Sequence, residues 1–128
     1  MCIRDSSKVA VDPKLREVLV NVQREQAKLH SNNIVVEGRD AGTVVFPNAD
    51  YKFYLQASLE NRARRRFADL SEKSPESFEQ FKQDLDRRDK RDQGRKVAPD
   101  KAAADAVLVD TDERSLKEVL EYIEARLP

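Results

Sequence analysis

Fourteen arginines are spread along the chain, and eight of them, Arg62, Arg64, Arg65, Arg66, Arg87, Arg88, Arg91 and Arg95, fall in two neighbouring stretches. At helical spacing Arg62, Arg65 and Arg66 share one face, and Arg88, Arg91, Asp92 and Arg95 share another. Two solvated faces laced by ion pairs to Asp89 and Asp92 would explain this pattern. Polyphosphate binding would explain it too, because a guanidinium fork grips phosphate oxygens two at a time and phosphoryl transfer runs largely on positioning and charge neutralisation. A second group lies in GRDAGTVVFPNAD, where Gly38 and Gly42 permit tight turns while Arg39 and Asp40 set a donor fork beside an acceptor. A turn with a local ion pair accounts for those residues as well as a ligand site does.

The elements that must hold these side chains are marked by their ends. Asp12 and Pro13 form a cap and first-turn pair, after which Leu15, Val18, Leu19, Val22 and Leu29 keep a helical period to about His30. The turn-rich SNN leads into IVVEG, a short apolar run of the kind that forms a buried parallel strand, and GRDAGT directly follows it. In YKFYLQA, the residues Tyr51, Phe53, Leu55 and Ala57 alternate with polar or amphipathic neighbours, predicting a second strand after the Pro47–Asn48 turn. Ser58 can cap a basic helix, LENRARRRFADL, that ends near the KSP breaker. PESFEQFKQDLDRRDKRD begins another helix with Pro75 in its first turn and Gly94 at its end. AVLVD predicts a third strand, and Ser115 with Glu118 forms a capping box for a last helix whose buried face is Leu116, Val119, Leu120, Ile123 and Leu127. Strands alternating with helices imply a parallel sheet covered by helices, with ligands at the C-terminal strand ends.

Composition narrows the classes. The 128 residues suffice for one domain with one core. Basic and acidic residues both number 24, so no whole-molecule field draws the chain to nucleic acid or an anionic membrane. No apolar run is long enough to span a bilayer and no secretory leader is visible, which makes a cytoplasmic protein the expectation. Cys2 is the only cysteine, which excludes an internal disulfide and a cysteine-built zinc site, and the only histidine, His30, falls near a helix end. No metal ligand set is read from the sequence. The opening MCIRDS has no periodicity and resembles the translation of a sequencing-library adapter, so residues 1–6 are set apart from the fold.

Taken in order, VVEGRDAGTVVFPNADYKFYLQAS, NRARRR, LDRRDKRDQGRKVAP and ADAVLVDT resemble successive signatures of bacterial-type cytidylate kinases, from about Ser7 to the C-terminus. The resemblance implies an α/β three-layer parallel sheet of the phosphate-loop nucleoside monophosphate kinase type. It implies transfer of the ATP γ-phosphate to CMP or dCMP, with ATP as donor, Mg2+ in the intact enzyme, and a monomeric state. Arg16 and Asp40 match the cytosine-contacting residues, with Ser7 a third. The chemistry fits, since cytosine offers an amino donor to a carboxylate and a ring nitrogen and carbonyl to an arginine. Arg39 and Arg95 match residues holding the monophosphate, and Arg88 with Asp92 the pair near the sugar. Arg62, Arg65 and Arg66 match catalytic arginines of a lid, expected around residues 59–92, that closes over the nucleotide phosphates. Arg64 and Arg87 are expected to face solvent.

Two departures stand out. Asp100 occupies a position where the family usually carries Leu. The sequence also contains no Gly-rich phosphate loop with its Lys and Ser or Thr, so the expected domain is incomplete at its N-terminus and inactive alone. Another nucleoside monophosphate kinase is the alternative within the class. A noncatalytic module whose arginine faces bind RNA or an acidic partner is the alternative outside it, disfavoured by the neutral charge and the strand–helix alternation.

Overall fold

The structure, a computed structural model, describes residues 12–29, 34–69, 77–96 and 99–128. Residues 1–6, Ser7, His30 and Pro75 lie outside them. The chain divides into two compact units, Met1–Asp50 with Arg91–Ala104, and Tyr51–Lys90 with Asp105–Pro128.

In the first unit helix α1 spans Pro13–Leu29. The Asp12 carboxylate accepts from the amides of Lys14 (2.8 Å) and Leu15 (3.3 Å), while Pro13 has no amide to satisfy. The helix does not bury its aliphatic stripe: Val18, Leu19, Val22 and Leu29 are exposed, contrary to the periodicity, and Val20 is the buried residue. The inward face carries polar contacts. Arg16, Val20 and Arg24 recur every fourth position, Arg16 pairs with Asp40, and Arg24 donates to the carbonyls of Val44 (2.8 Å) and Val45 (2.9 Å). Two arginines one turn to either side of Val20 therefore fix which face turns inward.

IVVEG is not a strand. Residues 34–38 pair with no other segment among the described residues, and Val35 is 103% exposed. An apolar run needs a neighbouring edge to satisfy its amides and carbonyls as well as a face to bury. A wide π-helical turn follows over Ala41–Val45, in which the Asp40 carbonyl accepts from the amides of Thr43, Val44 and Val45, and Val45 is buried. Turns of this kind often occur at functional sites.

In the second unit, β1 (Phe53–Gln56) pairs in parallel with β2 (Val107–Asp110), Phe53 opposite Val107 and Gln56 opposite Asp110. The Val107 amide donating to the Lys52 carbonyl (2.8 Å) and the Thr111 amide donating to the Gln56 carbonyl (2.9 Å) bracket the ladder. Among the described residues the sheet has these two strands. Helix α2 (Leu59–Asp69) is capped by the Ser58 hydroxyl, which accepts from the Asn61 amide at 3.3 Å. Helix α3 (Phe78–Gln93) is capped the same way by Ser77 through the Gln80 amide, and stops at Gly94 as its composition predicts. Phe67 meets Phe78 and Phe81 with ring centroids 5.6 and 5.7 Å apart, over a core of Ala63 and Leu85. Helix α4 (Leu116–Glu124) has the capping box formed, the Glu118 amide donating to Ser115 Oγ and the Ser115 amide to Glu118 Oε2. Its apolar face is only partly covered: Val119 is buried, Leu120 and Leu127 are exposed, and Leu116 is 75% exposed. Among the described residues no helix is long and apolar enough to cross a membrane.

Candidate functional site

The first unit gathers a charged cluster around the end of α3. Asp92 is the hub, its side chain only 1% exposed, with one carboxylate oxygen paired to Arg95 and the other to Arg39 at 2.5 Å. Arg39 also reaches Asp100 Oδ2 at 3.2 Å, and the Asp100 amide donates to the Asp92 carbonyl at 3.0 Å, which holds Asp100 against the helix end. Arg16 on α1 pairs with Oδ2 of Asp40, the neighbour of Arg39. Segments distant in sequence, α1, the residues leading into the π-helical turn, and the end of α3 with Arg95 and Asp100 beyond it, thus supply three arginines and three aspartates.

Electrostatics knit the cluster together. Burial, and after it the nearby charges of Arg16 and Arg39, push the Arg95 guanidinium below its ordinary value, while Asp40 and Asp100 oppose the shift. The Arg95 side chain is 8% exposed, and its Nε is buried without a hydrogen-bond partner. A buried, unmatched guanidinium donor costs free energy, and an anion that accepts from it would recover that cost.

Of the residues expected to bind substrate, Arg16, Arg39, Asp40, Asp92 and Arg95 belong to this cluster. Arg39 and Asp40 do not follow a strand, because the segment before Arg39 forms none. Arg88 lies one turn before Asp92 on α3 and is half-buried. Ser7 is outside the described residues.

The second unit holds the arginines expected in a lid. Arg62 pairs with Asp89 and donates from Nε to the Ala57 carbonyl at 3.0 Å. Arg65 grips Thr111, one nitrogen on Oγ1 at 3.0 Å and the other on the carbonyl. Arg66 is exposed. Arg64 and Arg87 are exposed and form helix-surface pairs with Glu60 and Asp84 at 2.7 Å each. A mostly apolar cavity of about 310 Å³ opens among Leu55, Arg65, Thr111, Arg114, Leu116 and Val119.

Residues not singled out as site candidates from sequence stand at the C-terminal ends of the two paired strands, where parallel sheets present their loops. The Asp112 carboxylate accepts from the Ser58 amide (2.9 and 3.0 Å), the Ser58 hydroxyl (3.0 Å) and Asn61 Nδ2 (2.7 Å), and these bonds, Asn61 foremost, hold its carboxyl below the ordinary 3.8. The available signal was positional: a Thr–Asp pair just after the last strand. Asp100 was visible as a departure from pattern, but its contact with Arg39, 61 positions away, was not.

A sequence model described as cytidylate kinase matches residues 3–127. Similar proteins bearing the name cytidylate kinase include one from Thermosipho melanesiensis, 49% identical over 119 residues, which are 92% of this chain and 54% of that protein. One from Shouchella clausii is 48% identical over 118 residues, 91% of this chain and 52% of its own length. One from Actinobacillus succinogenes is 44% identical over 126 residues, with shares of 94% and 55%. The chain spans about half the length of these curated relatives. With the match running nearly from end to end, the chain belongs to the cytidylate kinase family.

Proposed function

We propose that this chain is the acceptor-binding portion of an enzyme that transfers the γ-phosphate of ATP to CMP or dCMP in the cytoplasm, monomeric when intact. The observation that carries this reading is the Arg16–Asp40 pair set beside a buried arginine cluster in which Arg95 Nε lacks a hydrogen-bond partner. Asp40 keeps a second carboxylate oxygen for the cytosine amino group, while Arg16 holds it in place and offers donors to the ring nitrogen and carbonyl. Arg39 and Arg95 take the monophosphate, Arg88 and Asp92 the sugar side, and Ser7 a further base contact. Arg62, Arg65 and Arg66 act as a lid that neutralises charge on the moving phosphoryl group.

This sequence holds no Gly-rich phosphate loop to grip ATP, and on this reading the chain alone binds acceptor without turning over ATP. Magnesium is the usual partner of ATP in such transfers. Among the described residues no group of three or more His, Cys, Asp or Glu side chains is placed to hold a cation.

Calorimetric titration with CMP and UMP tests the reading. The chain is expected to prefer CMP, and Asp40→Asn to erode that preference by about 1–3 kcal/mol, the usual worth of one base-edge contact. Equal discrimination before and after the substitution would remove Asp40 from base recognition.

A further inference from the structure

Two of the three aspartates in the Arg16–Arg39–Arg95 cluster have work under the reading above: Asp40 faces the base and Asp92 the sugar. Asp100 has none. Its carboxylate nevertheless lies 3.2 Å from Arg39 Nη1, its side chain is 16% exposed, and its amide is anchored to the Asp92 carbonyl, so backbone and side chain of Asp100 are both held at the cluster. With Asp100 counted, three guanidinium groups meet three carboxylates and the cluster's formal charge is zero. A site for a phosphate dianion is better served by net positive charge, and a carboxylate is the side chain that most closely imitates a phosphate oxygen toward a guanidinium fork.

We propose that Asp100 is an internal competitor for the phosphate at Arg39, a side chain that occupies part of the anion site and must yield Arg39 when the acceptor nucleotide binds. This deepens the acceptor-site reading and rests on it. Asp100 then sets affinity for the phosphate and not for the base: it weakens capture of any phosphate-bearing ligand while leaving recognition of the nucleoside to Arg16 and Asp40. A purely structural ion pair would behave otherwise, since its loss would cost stability and yield no gain in anion binding.

The test compares the unaltered chain with Asp100→Asn and Asp100→Ala, titrated with CMP, cytidine and inorganic phosphate. The expected result is about tenfold tighter CMP binding in both variants, a modest consequence for one unit charge beside a partly buried anion. Phosphate should raise the variants' melting midpoints more than it raises that of the unaltered chain, and cytidine affinity should not change. CMP binding of equal strength in all three proteins, with no gain for phosphate, overturns the inference and leaves the acceptor reading intact. A gain for phosphate without CMP binding in any protein does the reverse. Binding of neither ligand to any of them sinks both. Should the variants fail to fold, the carboxyl carbon resonance of Asp100 in the unaltered chain decides: it moves as phosphate is added, and a resonance that stays fixed to saturation overturns the inference.

Discussion

Asp112 makes the acid behaviour of the second unit predictable. Its carboxyl titrates below 3.8 because the ionised form accepts from Asn61 and Ser58. A depressed value in the folded state means that the contribution is complete above the ordinary value and disappears as pH falls through the lowered one. The melting midpoint should therefore fall on acidification below about pH 4, and Asp112→Asn should lower it at neutrality while flattening that acid limb. A variant with an unchanged acid limb would show that the cluster contributes nothing to folding. Asp112 was not read from sequence as a site residue because a lone aspartate after a strand has many ordinary uses. Resemblance alone names Arg16 and Asp40 together, for periodicity places both on their segments but cannot join residues 24 positions apart. Only the packing of α1 against the π-helical turn does that.

Helix ends were the most readable feature of the sequence, because caps are local chemistry. Asp12 with Pro13 and Ser115 with Glu118 form the bonds their identities demand. Ser115→Ala should destabilise the second unit by about 1 kcal/mol in denaturant unfolding; a loss below the error of the measurement would mean that α4 is held by packing alone. The strands divided for an equally physical reason. VLVD finds a partner edge in FYLQ and becomes β2, whereas IVVEG has the same apolar character and no paired edge among the described residues. Hydropathy reports the wish to be buried and says nothing of whether a neighbour is there. The exposed stripe of α1 has a different origin. Periodicity counted aliphatic residues, and the inward face was chosen by Arg16 and Arg24, whose polar partners lie on the turn.

Taken whole, the chain has equal numbers of acidic and basic residues and leaves several large apolar side chains open to water, among them Val35, Leu29, Leu55 and Leu116. Neutral chains gain little repulsion to keep copies apart, and a two-stranded parallel sheet with exposed leucines offers edges as well as faces for association. Sedimentation velocity should accordingly show self-association that grows with protein concentration and persists at high salt. A single monomeric boundary across that range would show that the open surfaces are not adhesive. The resemblance read the family correctly, and among the described residues the sheet consists of β1 and β2, with IVVEG left unpaired because strand formation depends on pairings that no single segment encodes.

The grip of Arg65 on Thr111 also bears on how the β1–β2 ladder opens in time. At that end the Gln56 carbonyl accepts both the amide and the hydroxyl of Thr111 (2.9 and 3.1 Å), and Arg65 holds Thr111 from the side of α2. At the opposite end the Val107 amide donates to the Lys52 carbonyl and Lys52 Nζ pairs with Asp105 at 2.5 Å, both residues flanking the strands themselves. Deuterium uptake at Thr111 therefore clocks the release of the helix as well as the parting of the strands, whereas uptake at Val107 clocks the strands alone. Removing the brace with Arg65→Gln should speed exchange at Thr111 severalfold and leave Val107 as it was. Equal acceleration at both amides would instead mean that ladder and helix come apart in one cooperative step.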